Sequence, residues 1–294
     1  MKKDRLKPYV YKVEGAVNFA FYDMLKGRYY QFSPDGSVED LRKILLEKGL
    51  IFETTGVVPN KFPVDQMQMI QHYVHIRKLE IRLNGRKEDN CWNRQKLDKD
   101  QKFIKPETVA QLQEKCRYIP IDIIRVEAEE EDICLIESII TGFKCRVVEL
   151  HIESGIPHEK IEEFKKESNG KEIIVIKDGR KKIMDLKAEI FRFFFSNHFN
   201  PCLGNKVSVD IGGEIKCCLW SDEILGNIKT DDLKDMIIRG KFDFYWELSK
   251  RKIESCKDCE LRHACDDCRV YAIKQSGHIN AKPAYCDYDP YKGD

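Results

Sequence analysis

The sequence predicts an α/β protein in three parts: a small N-terminal α+β domain, a short parallel βα sheet and a C-terminal cysteine-rich module. Three observations predict this. Short aromatic and β-branched runs crowd residues 8–32. From residue 79 to residue 176, strand-like and helix-like segments alternate at roughly 25-residue spacing, as parallel strands joined by crossover helices require. Eight of the twelve cysteines fall in the last 93 residues.

In the first part, strands are predicted at Tyr9–Val13, Val17–Tyr22 and Arg28–Phe32, with Lys26 and Gly27 marking a hairpin turn. A helix follows, capped by Ser37, supported in its first turn by Asp40, and lined on one face by Leu41, Ile44, Leu45 and Leu50. This domain is expected to span residues 1–75. The second, 76–200, carries strand candidates Leu79–Leu83, Ile121–Val126, Val147–Ile152 and Ile173–Ile176. Helical patterns lie between them near 106–116, 131–142 and 158–168, with Pro106 at a helix start and Gly142 at a helix end. Only about four strands fit before residue 185, too few for a closed eight-stranded barrel. Segment 183–195, ending in Phe193, Phe194 and Phe195, reads as a buried helix or strand leading into the third domain, 201–294. The acidic run Glu127 to Asp132 reads as a solvated loop.

The chain has 294 residues, 42% hydrophobic and 34% charged, with a formal net charge of +1. That balance gives no electrostatic case for nucleic acid or a membrane surface. The opening Met1 to Lys7 is charged, so neither a signal peptide nor a membrane helix is expected. Cysteines clustered in one part of a sizeable chain point to metal ligation in a reducing cytoplasm rather than to a disulfide scaffold.

Cys256-x2-Cys259-x5-Cys265-x2-Cys268 places two CxxC pairs within thirteen residues. Each short loop can offer two sulfurs to one centre, and thiolates suit zinc or iron–sulfur clusters. A structural zinc ribbon from these four is one reading; it leaves Cys202, Cys218 and Cys286 without a role. Cys116, Cys134 and Cys145 are expected to be buried structural thiols. His72 and His75, three apart, are expected to be a surface pair rather than metal ligands. His263 either tunes a cluster by hydrogen bonding or faces solvent.

The cysteine spacing resembles the SPASM module that extends many peptide-modifying radical S-adenosylmethionine enzymes, whose pattern is C-x(9–15)-G-x4-C, C-x2-C-x5-C-x3-C and a final C. Cys202 is followed after ten residues by Gly213 and after four more by Cys218; Cys256, Cys259, Cys265, Cys268 and Cys286 complete seven. Gly213-Glu214-Ile215 and Leu225-Gly226-Asn227-Ile228 also match. The resemblance implies that Cys256, Cys259, Cys265 and Cys286 ligate one [4Fe-4S] cluster, while Cys202, Cys218 and Cys268 ligate a second. Two departures bear on the second: Cys265-x2-Cys268 is one residue short, and Ser196 and His198 stand where a further upstream cysteine is expected. That site is therefore incomplete, takes Cys217 or His198, or is absent.

The catalytic C-x3-C-x2-C motif of radical enzymes occurs nowhere in the chain. After the first strand of the middle part, Lys87, Cys91 and Arg94 occupy the three positions, and one thiolate cannot hold the cluster. The glycine-rich motif after the second strand is replaced by Val126-Glu127-Ala128-Glu129-Glu130. The middle part is thus read as a degenerate radical-SAM-like sheet. The whole chain resembles the SPASM peptide maturases of the grasp-with-spasm type and related pseudo-radical-SAM proteins. The resemblance is carried by Phe21-Tyr22-Asp23-x3-Gly27-Arg28-Tyr29-Tyr30, by Cys259 to Arg269 and by Tyr285 to Tyr291. It implies a role in maturing a ribosomally synthesised, post-translationally modified peptide alongside an ATP-grasp ligase; with the catalytic motif missing, an accessory role that binds the precursor peptide or that ligase is expected. A redox-active iron–sulfur enzyme acting on the peptide, or a structural zinc protein, are the alternatives.

Overall fold

The computed structural model describes residues 3–55, 75–83, 104–128, 132–152, 157–177, 186, 188–265 and 267–293. Lys87, Cys91, Arg94, His72 and residues 129–131 of the acidic run lie outside them. Contacts divide the chain into two units: residues 1–72, 182–202 and 248–294 form one, and residues 73–181 and 203–247 the other. Residues 203–247 group with the parallel sheet.

In the first unit, β1 (Lys3–Leu6) heads the chain, and β2 (Val10–Glu14), β3 (Phe19–Asp23) and β4 (Arg28–Phe32) form an antiparallel three-stranded sheet. The turn after β3 is held by Asp23, whose carboxylate accepts from the Leu25 and Lys26 amides, and Gly27 supplies the positive φ of 63° that the turn needs. Helix α1 (Val38–Glu47) starts at Ser37, whose hydroxyl accepts from Asp40 N at 3.0 Å, and β5 (Ile51–Thr54) returns antiparallel to β1. Pairing of β1 was not foreseen, because Lys3, Asp4 and Arg5 lack the apolar signature of a strand. It is an edge strand, where charge is tolerated. Alternation splits the three-stranded sheet into two faces. Val10, Phe19, Phe21, Tyr30 and Phe32 pack with Leu41, Leu45, Leu50 and Ile51. Tyr11, Val13, Ala20 and Tyr22 pack the other way, against the cysteine loop described below.

The second unit is built on a seven-stranded sheet. Its parallel part runs β6 (Ile76–Arg82), α2 (Pro106–Cys116), β7 (Ile121–Ala128), α3 (Ile133–Gly142), β8 (Val147–Ile152), α4 (His158–Glu167) and β9 (Glu172–Lys177). These elements match the sequence expectation to within a few residues. Helix α5 (Ile190–Phe195) belongs to the first unit and buries Phe193, Phe194 and Phe195. Beyond it, β10 (Lys206–Val209) pairs parallel to β6, and β11 (Glu214–Lys216) and β12 (Gly226–Asn227) follow antiparallel. The order is β12-β11-β10-β6-β7-β8-β9, so a fifth parallel strand comes from a segment that the sequence assigns to the cysteine module. Gly213 turns β10 into β11 at φ 80°, and an added Cβ would sit 3.0 Å from Ile228. Helices α6 (Leu233–Ile238) and α7 (Asp243–Trp246) complete this unit, and α8 (Arg269–Ser276) lies in the first. No described helix is long and apolar enough to cross a membrane.

Candidate functional site

Cys256 opens a 3-10 turn, Cys256–Asp258, and Cys259 caps its end. Leu261 to Ala264 carry the chain round to Cys265, where the Ala264 and Cys265 amides both donate to Leu261 O at 3.0 Å. Cys268 caps the N-terminus of α8, its amide donating to Tyr285 Oη at 2.9 Å, and Cys286 follows in the tail. All these thiols are half-buried. Cys265 is the hub: it lies within electrostatic reach of Cys256, Cys259 and Cys286, the set singled out from the sequence for one cluster.

Strands β3 and β4 and the turn before β3 carry this loop. Ala16 N donates to Asp258 O at 2.7 Å, Tyr22 Oη to Glu260 O at 2.7 Å, and Gln31 Nε2 to Glu260 Oε1 at 2.6 Å. Arg262 Nη1 closes the frame, donating to Glu14 O at 2.8 Å and to Cys259 O at 2.7 Å. Beneath these bonds, Leu261 and Ala264 are buried with Tyr11, Tyr22, Phe193 and Phe194, and Cys259 packs against that core. The three strands of the N-terminal sheet and the turn between β2 and β3 thus brace the cysteine loop directly.

The surroundings are electrically specific. Burial pushes the Cys256 and Cys259 thiols up to about 12 and raises Cys265 as well. Loading a metal here therefore displaces protons. Burial alone would lower the pKa of Lys250, but negative charge on Cys265, Asp267 and Cys256 raises it. Arg269 Nε pairs with Asp267 Oδ2 at 2.5 Å, both fully buried. Four thiols on one loop cluster beside buried cations suit a negatively charged thiolate–metal group. Among the described residues, no three His, Cys, Asp or Glu side chains stand close enough together to hold a single metal ion. A four-iron cluster takes one thiolate per iron, so its sulfurs stand farther apart than the four around one tetrahedral ion.

His263 does not face solvent. It is buried, its Nδ1 lies 2.7 Å from Ser196 Oγ, and the Phe193 ring sits tilted against it with centroids 4.7 Å apart. Burial, with Arg262, Arg251 and Lys250 adding to it, pushes its pKa down to about 3. Ser196 Oγ also donates to Phe193 O at 3.1 Å, so both bonds are satisfied when neutral His263 donates from Nδ1 to the hydroxyl. Cys202 belongs to the same unit as Cys268, its amide donating to Asn200 Oδ1, whereas Cys217 and Cys218 follow β11 in the other unit. Cys116 is buried as expected and Cys145 half-buried, but Cys134 is exposed. Helix α3 buries Ile136, Ile139 and Ile140, and Cys134 lies off that face. His75 precedes β6 and sits 3.2 Å from Asp122 Oδ2.

One feature of the second unit escaped the sequence reading. Leu79, Ile81, Ile124, Val126, Val148, Leu150, Val207 and Val209 fill one face of the parallel sheet, while charged side chains occupy the other. There Glu80 is held by Lys206 Nζ at 3.2 Å, Arg125 Nη1 at 3.2 Å and Ser208 Oγ at 3.0 Å. Glu149 pairs with Lys78 Nζ at 3.1 Å and with Arg125 Nη2 at 2.9 Å. At the carboxyl ends, Arg82 reaches Glu127 at 3.1 Å and Asp210 at 3.4 Å and lies 4.6 Å from the centre of the Trp220 ring. The strict alternation in Leu79-Glu80-Ile81-Arg82-Leu83 was the available signal, since a parallel strand covered by apolar packing on both faces reads as an unbroken apolar run.

No protein-family model matches this chain, and no curated protein does. Among solved structures, it is similar to BtrN in an open conformation, at 13% identity and a TM-score of 0.39, covering 63% of this chain and 92% of that one. It is also similar to SuiB of Streptococcus suis bound to precursor peptide SuiA, at 8% identity and a TM-score of 0.36, covering 97% of this chain and 100% of that one. Both scores lie below 0.5, so the strand order and the cysteine loop stand on their own geometry.

Proposed function

We propose that this chain is an accessory maturation protein for a ribosomally synthesised, modified peptide, holding an iron–sulfur cluster through Cys256, Cys259, Cys265 and Cys286. The observation that supports it best is the loop of half-buried thiols gathered round Cys265 beside buried Lys250, in a chain with SPASM-like cysteine spacing. Bound there, a four-iron cluster would supply structural cross-linking and one-electron redox capacity. Cys202, Cys218 and Cys268 are the candidates for a second cluster. With no C-x3-C-x2-C in the sequence, conventional radical chemistry by this polypeptide is not proposed.

Recognition of the precursor peptide is assigned to the N-terminal sheet. Strand β4 pairs only with β3 among the described strands, so its outer edge can accept an added strand. The partner enzyme is an ATP-grasp ligase, as the sequence resemblance implies. Reconstituting the ligase and precursor with and without the full-length protein tests the role. Faster or more complete modification in its presence, with peptide binding to the full chain, is expected. Equal modification without it and no peptide binding would remove the accessory reading. A redox enzyme would instead change the mass of the peptide when the ligase is left out.

A further inference from the structure

Lys250 is 2% exposed, an unusual depth for a strongly hydrated ammonium. It opens the 3-10 turn Lys250–Lys252, which packs on the turn that begins at Cys256. Its ammonium donates to the carbonyl of Cys265 and lies within electrostatic reach of Cys265, Cys256 and Asp267. The Asp267 carboxylate is shared: Arg269 Nε stands 2.5 Å from its Oδ2, and Asn200 Nδ2 lies 3.5 Å from its Oδ1. Among the described residues, Lys250 and Arg269 together face one carboxylate, that of Asp267, a surplus of positive charge. At this depth such a surplus is strongly unfavourable unless a further negative group stands beside it. Four thiolates outweigh the double positive charge of zinc or of an oxidised four-iron cluster, so the loaded cysteine site is net negative. Reduction of the cluster by one electron makes it more so.

We propose that Lys250 is a positioning residue of the Cys256, Cys259, Cys265 and Cys286 site, a built-in counter-ion that strengthens metal retention and makes a bound cluster easier to reduce. This rests on the reading that those thiols hold a metal group. The charge acts at short range in a buried setting, where it is little screened. Lys250 lies outside the C-x2-C-x5-C pattern, so no cysteine spacing reveals it; only the fold brings it to the loop.

The test uses the full-length protein with Lys250→Met, which keeps length and removes charge, and Lys250→Arg, which keeps charge. Both probes use the iron-reconstituted protein: its retention of iron against a chelator, and its midpoint potential, each followed by absorbance. Lys250→Met is expected to retain iron about 10- to 100-fold less tightly. It is also expected to shift the midpoint potential downward, while Lys250→Arg stays near wild type in both. Should Lys250→Met not fold, Lys250→Gln takes its place. Unchanged affinity and potential in the charge-removing variant overturn the counter-ion role while leaving the metal site standing. A wild-type protein that binds no metal, or a Cys256→Ser variant that binds as tightly as wild type, overturns the metal reading and the counter-ion with it.

Discussion

Glu80 keeps its charge at full burial because the sheet surrounds it with donors. Burial would raise its pKa, but Lys206, Arg125 and Lys78, with the Ser208 hydroxyl, hold it far below an ordinary glutamate. Glu149 is likewise depressed against its burial by His151, Lys78 and Arg125. Both folded-state pKa values lie below the unfolded one of 4.5, so this stabilisation is fully present above that pH. It is lost as pH falls through the depressed values. Thermal unfolding followed from pH 7 down to 3 should show the melting temperature falling below about pH 4.5, and Glu80→Gln should flatten that fall. A variant with the wild-type acid slope would contradict the assignment. At this scale the sequence was legible where chemistry is local, as in the thiols of the CxxC pairs. It was not legible where burial depends on distant packing: nothing beside His263 announces Ser196, and nothing beside Glu80 announces Lys206.

The turn between β2 and β3 shows how an element serves the site. Gly15 lies where a Cβ would come within 2.4 Å of the Glu260 side chain and 2.9 Å of Glu260 N. Gly15→Ala should therefore push the turn off the cysteine loop, at a cost of about 1–3 kcal/mol in denaturant unfolding. It should also loosen whatever metal the loop holds. Tyr22→Phe removes the donor to Glu260 O in a buried setting and should cost about 1–3 kcal/mol without disturbing the sheet, whose pairing is backbone. If both variants unfold like wild type, the strands do not brace the loop. The elements themselves were largely readable. Period-two aromatic runs gave β2 to β4, and Ser37, Pro106 and Gly142 marked ends of α1, α2 and α3. Strands β1 and β10 were missed because short, charged or mixed segments take their strand character from the neighbour they pair with.

At the scale of the whole molecule, the first unit is assembled from three separated stretches of chain, 1–72, 182–202 and 248–294. The sequence divides the chain in order. It cannot show that the last stretch returns to the first, because that pairing is carried by contacts such as Tyr22 with Glu260, 238 residues apart. A fragment of residues 1–75 should therefore expose Tyr11, Val13 and Tyr22 and fail to give a cooperative unfolding transition, whereas the full chain should give one.

The metal content of the protein purified without oxygen decides whether the cysteine loop holds a cluster. The protein should be brown and carry several iron and sulfide per chain, with that content lost in Cys256→Ser and Cys259→Ser and kept in Cys134→Ser. A colourless protein with stoichiometric zinc, or one with iron and sulfide untouched by the Cys256 and Cys259 substitutions, would contradict it.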